Sequence, residues 1–335
     1  MVVVGSFMKG YGRPSLTPRR MIEPNANATE TAPGWTSDWS ALVKARLSLM
    51  VLATTLVGFL VAQPERIAWS VLGWTLLGTF LSACSAAALN QAIERRHDAR
   101  MRRTANRPVA AGRMGLGMAV VAGFALGYGG CFTLAMKANL LACGLSALTI
   151  VLYVAVYTPL KRVTTLNTVV GAVVGAIPPM IGWVAAAGDL QRGAWVLAAL
   201  LFTWQLPHFF ALAWLHRDDY QRGGFVMLPG VPGGERLAAQ TNLLASLLLV
   251  PIGLLATVLG VAGFASAGVM LLAGLAMSWF SLAHLRRLDR ATARHLFLAS
   301  LAYLPAVLVA LAVDRGPVSG VAGARGGRTT LQEGR

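Results

Sequence analysis

Eight stretches of this chain contain no Asp, Glu, Lys or Arg: residues 47–64, 67–93, 115–136, 138–160, 163–188, 193–216, 237–285 and 295–313. No other feature narrows the possible folds so far. A helix that crosses the hydrocarbon core of a bilayer needs roughly 20 predominantly apolar residues. The block 237–285 is long enough for two crossings, and its small-residue stretch GVAGFASAG at 260–268 is the natural turn between them. Nine helices result. Lipid offers no partner to open backbone groups, so blocks of this length are helices rather than strands. Composition agrees: 56% of residues are hydrophobic, against about 45–50% in soluble domains, and mean hydropathy is +0.61. The expected fold is all-α, a polytopic membrane protein built as a nine-helix bundle.

The net charge of +16 raises the question of nucleic acid, and the placement of the positive residues answers it. Arg and Lys gather in the N-terminal arm (Lys9, Arg13, Arg19, Arg20, Lys44, Arg46), after the second span (Arg95 to Arg113), and after the fourth (Lys161, Arg162), sixth (Arg217, Arg222, Arg236) and eighth (Arg286, Arg287, Arg290, Arg294). The alternate loops carry only Arg66, Lys137 and Arg192. This is the positive-inside pattern, which puts the N-terminus in the cytoplasm and the C-terminus outside. The basic excess is topological and no nucleic-acid partner is expected.

Three regions follow: an N-terminal arm, 1–38, rich in Pro, Asn, Thr and Ala and expected to be unstructured; one transmembrane domain, 39–313; and a flexible Gly- and Arg-rich tail, 314–335. MVVVGSFM is too brief for a signal-peptide core. The arm has four basic residues and no acid before Glu23, a composition shared with mitochondrial transit segments, although its shortness favours a bacterial inner membrane over the mitochondrial one. Cys84, Cys131 and Cys143 lie inside apolar blocks without metal or redox spacing and read as small core residues.

The segment LNQAIERRHDARMRRTANRP, 89–108, is densely charged for so apolar a chain. Asn90, Glu94 and Asp98 recur at i, i+4 and i+8, so a helix continued past the membrane would stack them on one face. Neighbouring carboxylates repel there, and a cation between them would turn the defect into a site. Mg²⁺ suits it, being typically held by one or two carboxylates while substrate phosphates complete its octahedron. Arg102, Arg103 and Arg107 could contact the same phosphates. A solvated helix end, with Asp98 and Arg102 as an ordinary i,i+4 pair, would present the same residues. A second segment, FTWQLPHFFALAWLHRDDY at 202–220, repeats the logic: Gln205 and His208 lie within an apolar run and Asp218 and Asp219 follow it. The second and sixth spans run the same way, so both acidic ends reach one face, where Lys161 and Arg162 also emerge beside Tyr153, Tyr157 and Asn167. His208 could satisfy the carbonyl that Pro207 releases, but a histidine within a span is functional by default.

Asn90-x3-Glu94-x3-Asp98 followed by MRRTANRP (101–108), YTPLKRVTTLNTVVGAVVGAIPPMIGW (157–183), and WQLPHFFALAWLHRDDY (204–220) with MLP at 227–229 resemble the UbiA superfamily of intramembrane prenyltransferases, and more narrowly its haem-farnesylating branch. The similarity runs from about residue 40 to 313. It implies a central cavity opening to the cytoplasm or matrix and laterally to lipid, with farnesyl diphosphate as donor and haem b as acceptor. Carried over position by position, Asn90, Glu94 and Asp98 hold Mg²⁺ and the diphosphate. Arg103, Arg107, Lys161 and Arg162 neutralise the leaving group, and Asp219 and Tyr220 form the second acidic motif, Asp219 as a further metal ligand. Gln205 and His208 are the acceptor-side residues, His208 a candidate haem contact. Two departures stand out: Glu94 occupies a position where many members have Asp, and Leu215 stands where a full DxxxD ending at Asp219 would need an acid. Implied protein partners are haem A synthase or the assembly machinery of a terminal oxidase. The rivals are prenylation of an aromatic quinone precursor, opposed by the text around Lys161 and His208, and a secondary transporter, opposed by acids that sit at helix ends instead of near the midplane.

Overall fold

The computed structural model describes residues 34–62 and 67–315. A short helix, α1 (Trp35–Leu42), precedes nine long apolar ones: α2 (Ala45–Ala62), α3 (Trp69–Asp98), α4 (Leu116–Lys137), α5 (Leu140–Leu160), α6 (Asn167–Ala187), α7 (Arg192–Leu215), α9 (Gly234–Val258), α10 (Phe264–Arg287) and α11 (Arg290–Val313). A second short helix, α8 (Arg217–Gly223), lies between α7 and α9. The nine long helices among the described residues are the nine spans expected, and the 49-residue uncharged block breaks at Leu259–Gly263, with Gly260 in the left-handed region at φ 72°.

The chain ends differ from expectation. Helix α1 begins at Trp35, inside the arm expected to be unstructured to residue 38. Asp38 explains it: its carboxylate takes a forked pair of hydrogen bonds from Arg113, at 3.1 and 2.9 Å, which fixes α1 to the loop after α3. At the other end the Asp314 carboxylate accepts from the Ser266 N–H at 2.7 Å, so the ordered chain reaches past the point where a flexible tail was expected to start. Residues 1–33 and 316–335 lie outside the described residues.

Hydrophobicity cannot drive helices together inside lipid, so close packing must. On α4 the buried positions are Ala119, Gly123, Gly127, Gly130 and Leu134, a single small-residue face laid against Ser82, Ser85 and Leu89 of α3. The opposite face carries Val121, Phe124, Tyr128 and Phe132, all exposed, as a lipid-facing surface should be. Helices α2 and α6 cross more tightly: a Cβ on Gly58 would fall onto the Pro179 carbonyl, and one on Gly182 onto the Thr55 carbonyl. Only glycine allows that approach.

The core lies between α2, α6, α7 and α9–α11 around Trp183, Leu197, Leu249, Met270 and Leu296. At the basic end its character changes. There Asn90, Gln91, Glu94 and Asp98 of α3, Thr158 and Lys161 at the end of α5, and Asn167 and Thr168 of α6 are buried polar groups. Three loops close over them, 99–115, 161–166 and 224–233. The last is tied down where the Val226 N–H donates to the Lys161 carbonyl at 2.7 Å and the Val226 carbonyl accepts from Asn167 at 2.8 Å.

Candidate active site

Helix α3 continues unbroken to Asp98, so Asn90, Glu94 and Asp98 do stack along one buried face. Each has a different partner. The Asn90 side chain accepts from Lys44 Nζ at 2.9 Å and donates to Thr158 Oγ1 at 3.1 Å. Glu94 is joined by Lys161 Nζ at 2.8 Å. Asp98 Oδ2 is joined by Arg107 Nη1 at 2.7 Å, not by Arg102 as the simple i,i+4 pairing would have it. Asp98 Oδ1 is buried and accepts no hydrogen bond.

A π-helical turn in α5, Leu152–Tyr157, sets the other side of the site. Such turns insert a residue into the helix and recur at functional positions. Here the Thr158 hydroxyl bonds the carbonyl of Tyr153 five residues back. Thr158 and Lys161 are thereby presented to α3, with Lys161 Nζ lying 4.4 Å from the ring centroid of Tyr157 and 5.8 Å from that of Phe225. Burial opposes the charge of Lys161, but Tyr157 beneath it and the Glu94 carboxylate beside it hold the ammonium above the ordinary lysine range. It is a cation in an aromatic cradle.

The remaining expected residues fall in two groups. Arg162 reaches the Ile93 carbonyl at 3.2 Å beside the stacked acids, and its Nε is buried without a partner. Asp219 and Tyr220 are bound instead to the loop after α3: the Asp219 oxygens accept from the backbone N–H of Arg102 at 3.0 Å and of Arg103 at 3.2 Å, and from the Arg222 guanidinium. Arg103 in turn donates to the Tyr220 hydroxyl at 3.2 Å and lies over its ring. Burial works against the Asp219 charge, but Arg222 and the two N–H groups hold its carboxyl below the usual range. Gln205 and His208 stand apart on α7. Gln205 donates to the Leu201 carbonyl at 3.1 Å.

His208 is stacked between Trp204 and Phe297, with ring centroids 5.1 and 5.0 Å away, and its Nδ1 lies 2.9 Å from Ser300 Oγ. The carbonyl released by Pro207 is not its partner. Ser300 spends its single hydroxyl proton on the Phe297 carbonyl at 2.6 Å, so in the Ser300 contact His208 Nδ1 must be the donor. The imidazole is then the Nδ1–H tautomer, and Nε2 keeps its lone pair.

Sequence reasoning counted Lys44 as a topology signal and missed its place in the site. It joins α1 to α2 with φ at 48°, a left-handed backbone rare for a residue with a side chain. That turn directs Nζ inward to Asn90 and, at 3.4 Å, to the Tyr153 hydroxyl. Burial, helped by Arg107 and Lys161 and opposed by Tyr153, draws its pKa below the ordinary range. The one available signal was its position, a lysine at the mouth of an uncharged block.

Among the described residues no group of three or more His, Cys, Asp or Glu is gathered around a common metal position. The donor set on α3 nonetheless fits a hard cation: oxygen donors only, one turn apart, with a buried carboxylate oxygen left unpaired at Asp98. Both oxygens of Asp219 are already taken.

Comparison with known proteins follows the same lines. The model of the UbiA prenyltransferase family matches residues 51–304. A protoheme IX farnesyltransferase of Solibacter usitatus is 39% identical over 290 residues, covering 83% of this chain and 98% of that one. The mitochondrial protoheme IX farnesyltransferase of Homo sapiens is 38% identical over 280 residues, covering 83% of this chain and 62% of that one. Among solved structures, a digeranylgeranylglyceryl phosphate synthase superposes with a TM-score of 0.70 at 14% identity, over 83% of this chain and 98% of the other. A UbiA homologue from Archaeoglobus fulgidus bound to GPP and Mg²⁺ superposes with a TM-score of 0.57, also at 14% identity, over 83% of this chain and 100% of the other.

Proposed function

The chain belongs to the UbiA prenyltransferase family, and from that premise we propose that it transfers the farnesyl group of farnesyl diphosphate to the 2-vinyl group of haem b, giving haem O and diphosphate. The enzyme is a prenyltransferase with multiple spans. The observation that carries the reading is the convergence of Lys161, Arg107 and Lys44 on the acidic face of α3, beside relatives named for this reaction that align over more than four fifths of the chain.

The donor's allylic C–O bond breaks and its electron pair leaves with the diphosphate. Lys161, Arg103, Arg107 and Arg162 face that departing charge, and Lys44 joins them as a fifth cation. Groups fixed in place before the reaction need no reorganisation when charge develops, which is the larger part of electrostatic catalysis. Asn90, Glu94 and Asp98 would hold Mg²⁺, which when bound stabilises the leaving diphosphate. Asp219 serves as the anchor of the arginine loop, since its oxygens are occupied by Arg102, Arg103 and Arg222. The aromatic faces of Tyr157 and Phe225 lie beside the diphosphate cations, where an allylic cation gains from π density. The vinyl π electrons then close on farnesyl C1, and water adds to the resulting cation and loses a proton. Water excluded until that point cannot quench the first cation.

His208 meets the acceptor through Nε2, the nitrogen its Ser300 contact leaves bare, either as an iron ligand or as a ring contact, with Gln205 one turn away. The membrane is the bacterial inner membrane, or the mitochondrial inner membrane in a eukaryotic host, and haem A synthase or an oxidase assembly factor would receive the product. The test is mass analysis of haem after incubation of the membrane-reconstituted protein with farnesyl diphosphate and Mg²⁺. Haem O with stoichiometric diphosphate is expected. Unchanged haem alongside prenylation of a hydroxybenzoate acceptor would overturn the assignment in favour of quinone-precursor chemistry.

A further inference from the structure

An open cavity of about 470 Å³ lies at the basic end, between the loop after α3, the start of α8 and the start of α11. Its charged wall is lopsided. Arg102, Arg103, Arg222 and Arg290 line it with His216, against two acids, Asp218 and Asp219. Asp219 is already committed to Arg222 and to two backbone N–H groups, and Asp218 turns to Arg217 at 3.7 Å with its side chain mostly in solvent. Arg103 is held by Tyr220. That leaves the guanidiniums of Arg102 and Arg290 without a hydrogen bond or ion pair among the described residues. Both are exposed, and they approach the cavity from two different parts of the chain.

Of the cations assigned to the leaving diphosphate, Arg103 lines this cavity, held by Tyr220, whereas Lys44, Arg107, Lys161 and Arg162 do not. It is a cationic site that borders the first. The charge is felt locally: burial, then Arg103 and Arg290, hold the His216 imidazole below its usual pKa, with Asp219 opposing.

What lies beneath decides which anion fits. Leu215 lines the cavity, and His208 is seven residues, two turns, further into the bundle on the same face of α7. Arg290 lines the cavity, and Phe297 is again two turns inward on the same face of α11. The two faces meet, since His208 stacks on Phe297 and Trp204 Nε1 donates to the Ser300 carbonyl at 2.8 Å. A cationic cavity therefore lies about 10 Å above an aromatic seam with a bare imidazole nitrogen. The ligand complementary to that pairing is flat, aromatic and metal-bearing, with two anionic groups on one edge. Haem b has this form, with propionates on one edge and vinyl groups on the other half of the ring.

We propose that Arg102 and Arg290 receive the two propionate carboxylates of the haem acceptor, and so turn its vinyl edge into the bundle. The inference rests on haem being the acceptor. Guanidinium and carboxylate match as forks, and the contact is strongest where both are oriented.

The test is spectral titration of the full-length protein in nanodiscs with haem b and with its dimethyl ester, whose propionates are uncharged. Wild-type protein should prefer haem b by at least about tenfold, the change expected for one charge-assisted contact. Arg102→Ala with Arg290→Ala should erase that preference, and the paired lysine substitutions should restore part of it, while affinity for farnesyl thiodiphosphate stays unchanged. Neither guanidinium makes a hydrogen bond or ion pair among the described residues, so the variants are expected to fold, which an unchanged thermal midpoint checks. Equal preference in wild type and the alanine pair would overturn the proposal, and so would a loss of farnesyl thiodiphosphate binding, which would mark a phosphate site. If wild-type protein bound neither porphyrin, the acceptor assignment itself would fall, and this inference with it.

Discussion

Glu94 and Lys161 form a buried pair, and removing one partner of such a pair typically costs about 3–5 kcal/mol because the other charge is left unmatched. Lys161→Met should therefore lower both the thermal midpoint and the rate of diphosphate release, the rate by at least about a hundredfold. Glu94→Gln should lose the rate by a similar factor with a smaller fall in the thermal midpoint, since the neutral amide still accepts from Lys161 although its charge is gone. Near-normal Mg²⁺-dependent turnover in Glu94→Gln would remove the acids of α3 from the mechanism. His208→Ala should shift the absorption spectrum of bound haem and leave farnesyl thiodiphosphate affinity intact. Loss of thermal stability with an unchanged spectrum would mark it as a packing residue instead. Asp219 gives a pH signature. Its folded-state carboxyl lies below the usual range, so the stability it contributes is present at neutral pH and lost as pH falls through that depressed value. Thermal midpoints of wild type and Asp219→Asn should differ at pH 7 and converge only below about pH 4. The acids and Lys161 were legible because their spacing has a chemical meaning. Lys44 was not, because what brings it inward is a left-handed backbone at a non-glycine residue, which no local residue choice announces.

Among elements, the spans were legible to within five residues at each end, because a run without charge in a chain this basic has one physical explanation. The turn within residues 237–285 was also readable, its glycines supplying the left-handed residue it uses. The π-helical turn of α5 was not. LYVAVY contains no breaker, and the extra residue is accommodated only because Thr158 and Lys161 find partners on α3. Element packing yields its own prediction at the α2–α6 crossing. Gly182→Val places side-chain carbons against the Thr55 carbonyl and the Phe59 N–H, both backbone and unable to yield. Overpacking of this kind costs typically 1–3 kcal/mol or more. Gly117→Ala, where nothing lies within 4 Å, should be neutral or slightly stabilising by helix propensity. Thermal unfolding in one detergent compares the two, and equal midpoints would mean that the crossing tolerates separation.

At the scale of the whole molecule, odd span number and one basic end require that the loops after α3, α5, α7 and α10 share a compartment. Single cysteines at Arg100 and Asp218, in a background lacking Cys84, Cys131 and Cys143, should react with an impermeant maleimide from the same side of a sealed vesicle, and one at Asp189 from the other. Labelling of Arg100 and Asp218 from opposite sides would dissolve the site. The length of α3 has a further consequence. Its 30 residues span about 45 Å at 1.5 Å per residue, while the hydrocarbon core is about 30 Å thick. At the basic end that surplus is its last ten residues, Leu89–Asp98, which carry Glu94 and Asp98. On the proposed reaction, bond breaking would then fall at the depth of the lipid headgroups, and the two products would part company where they form: the diphosphate into water without meeting hydrocarbon, the farnesylated porphyrin sideways into the leaflet.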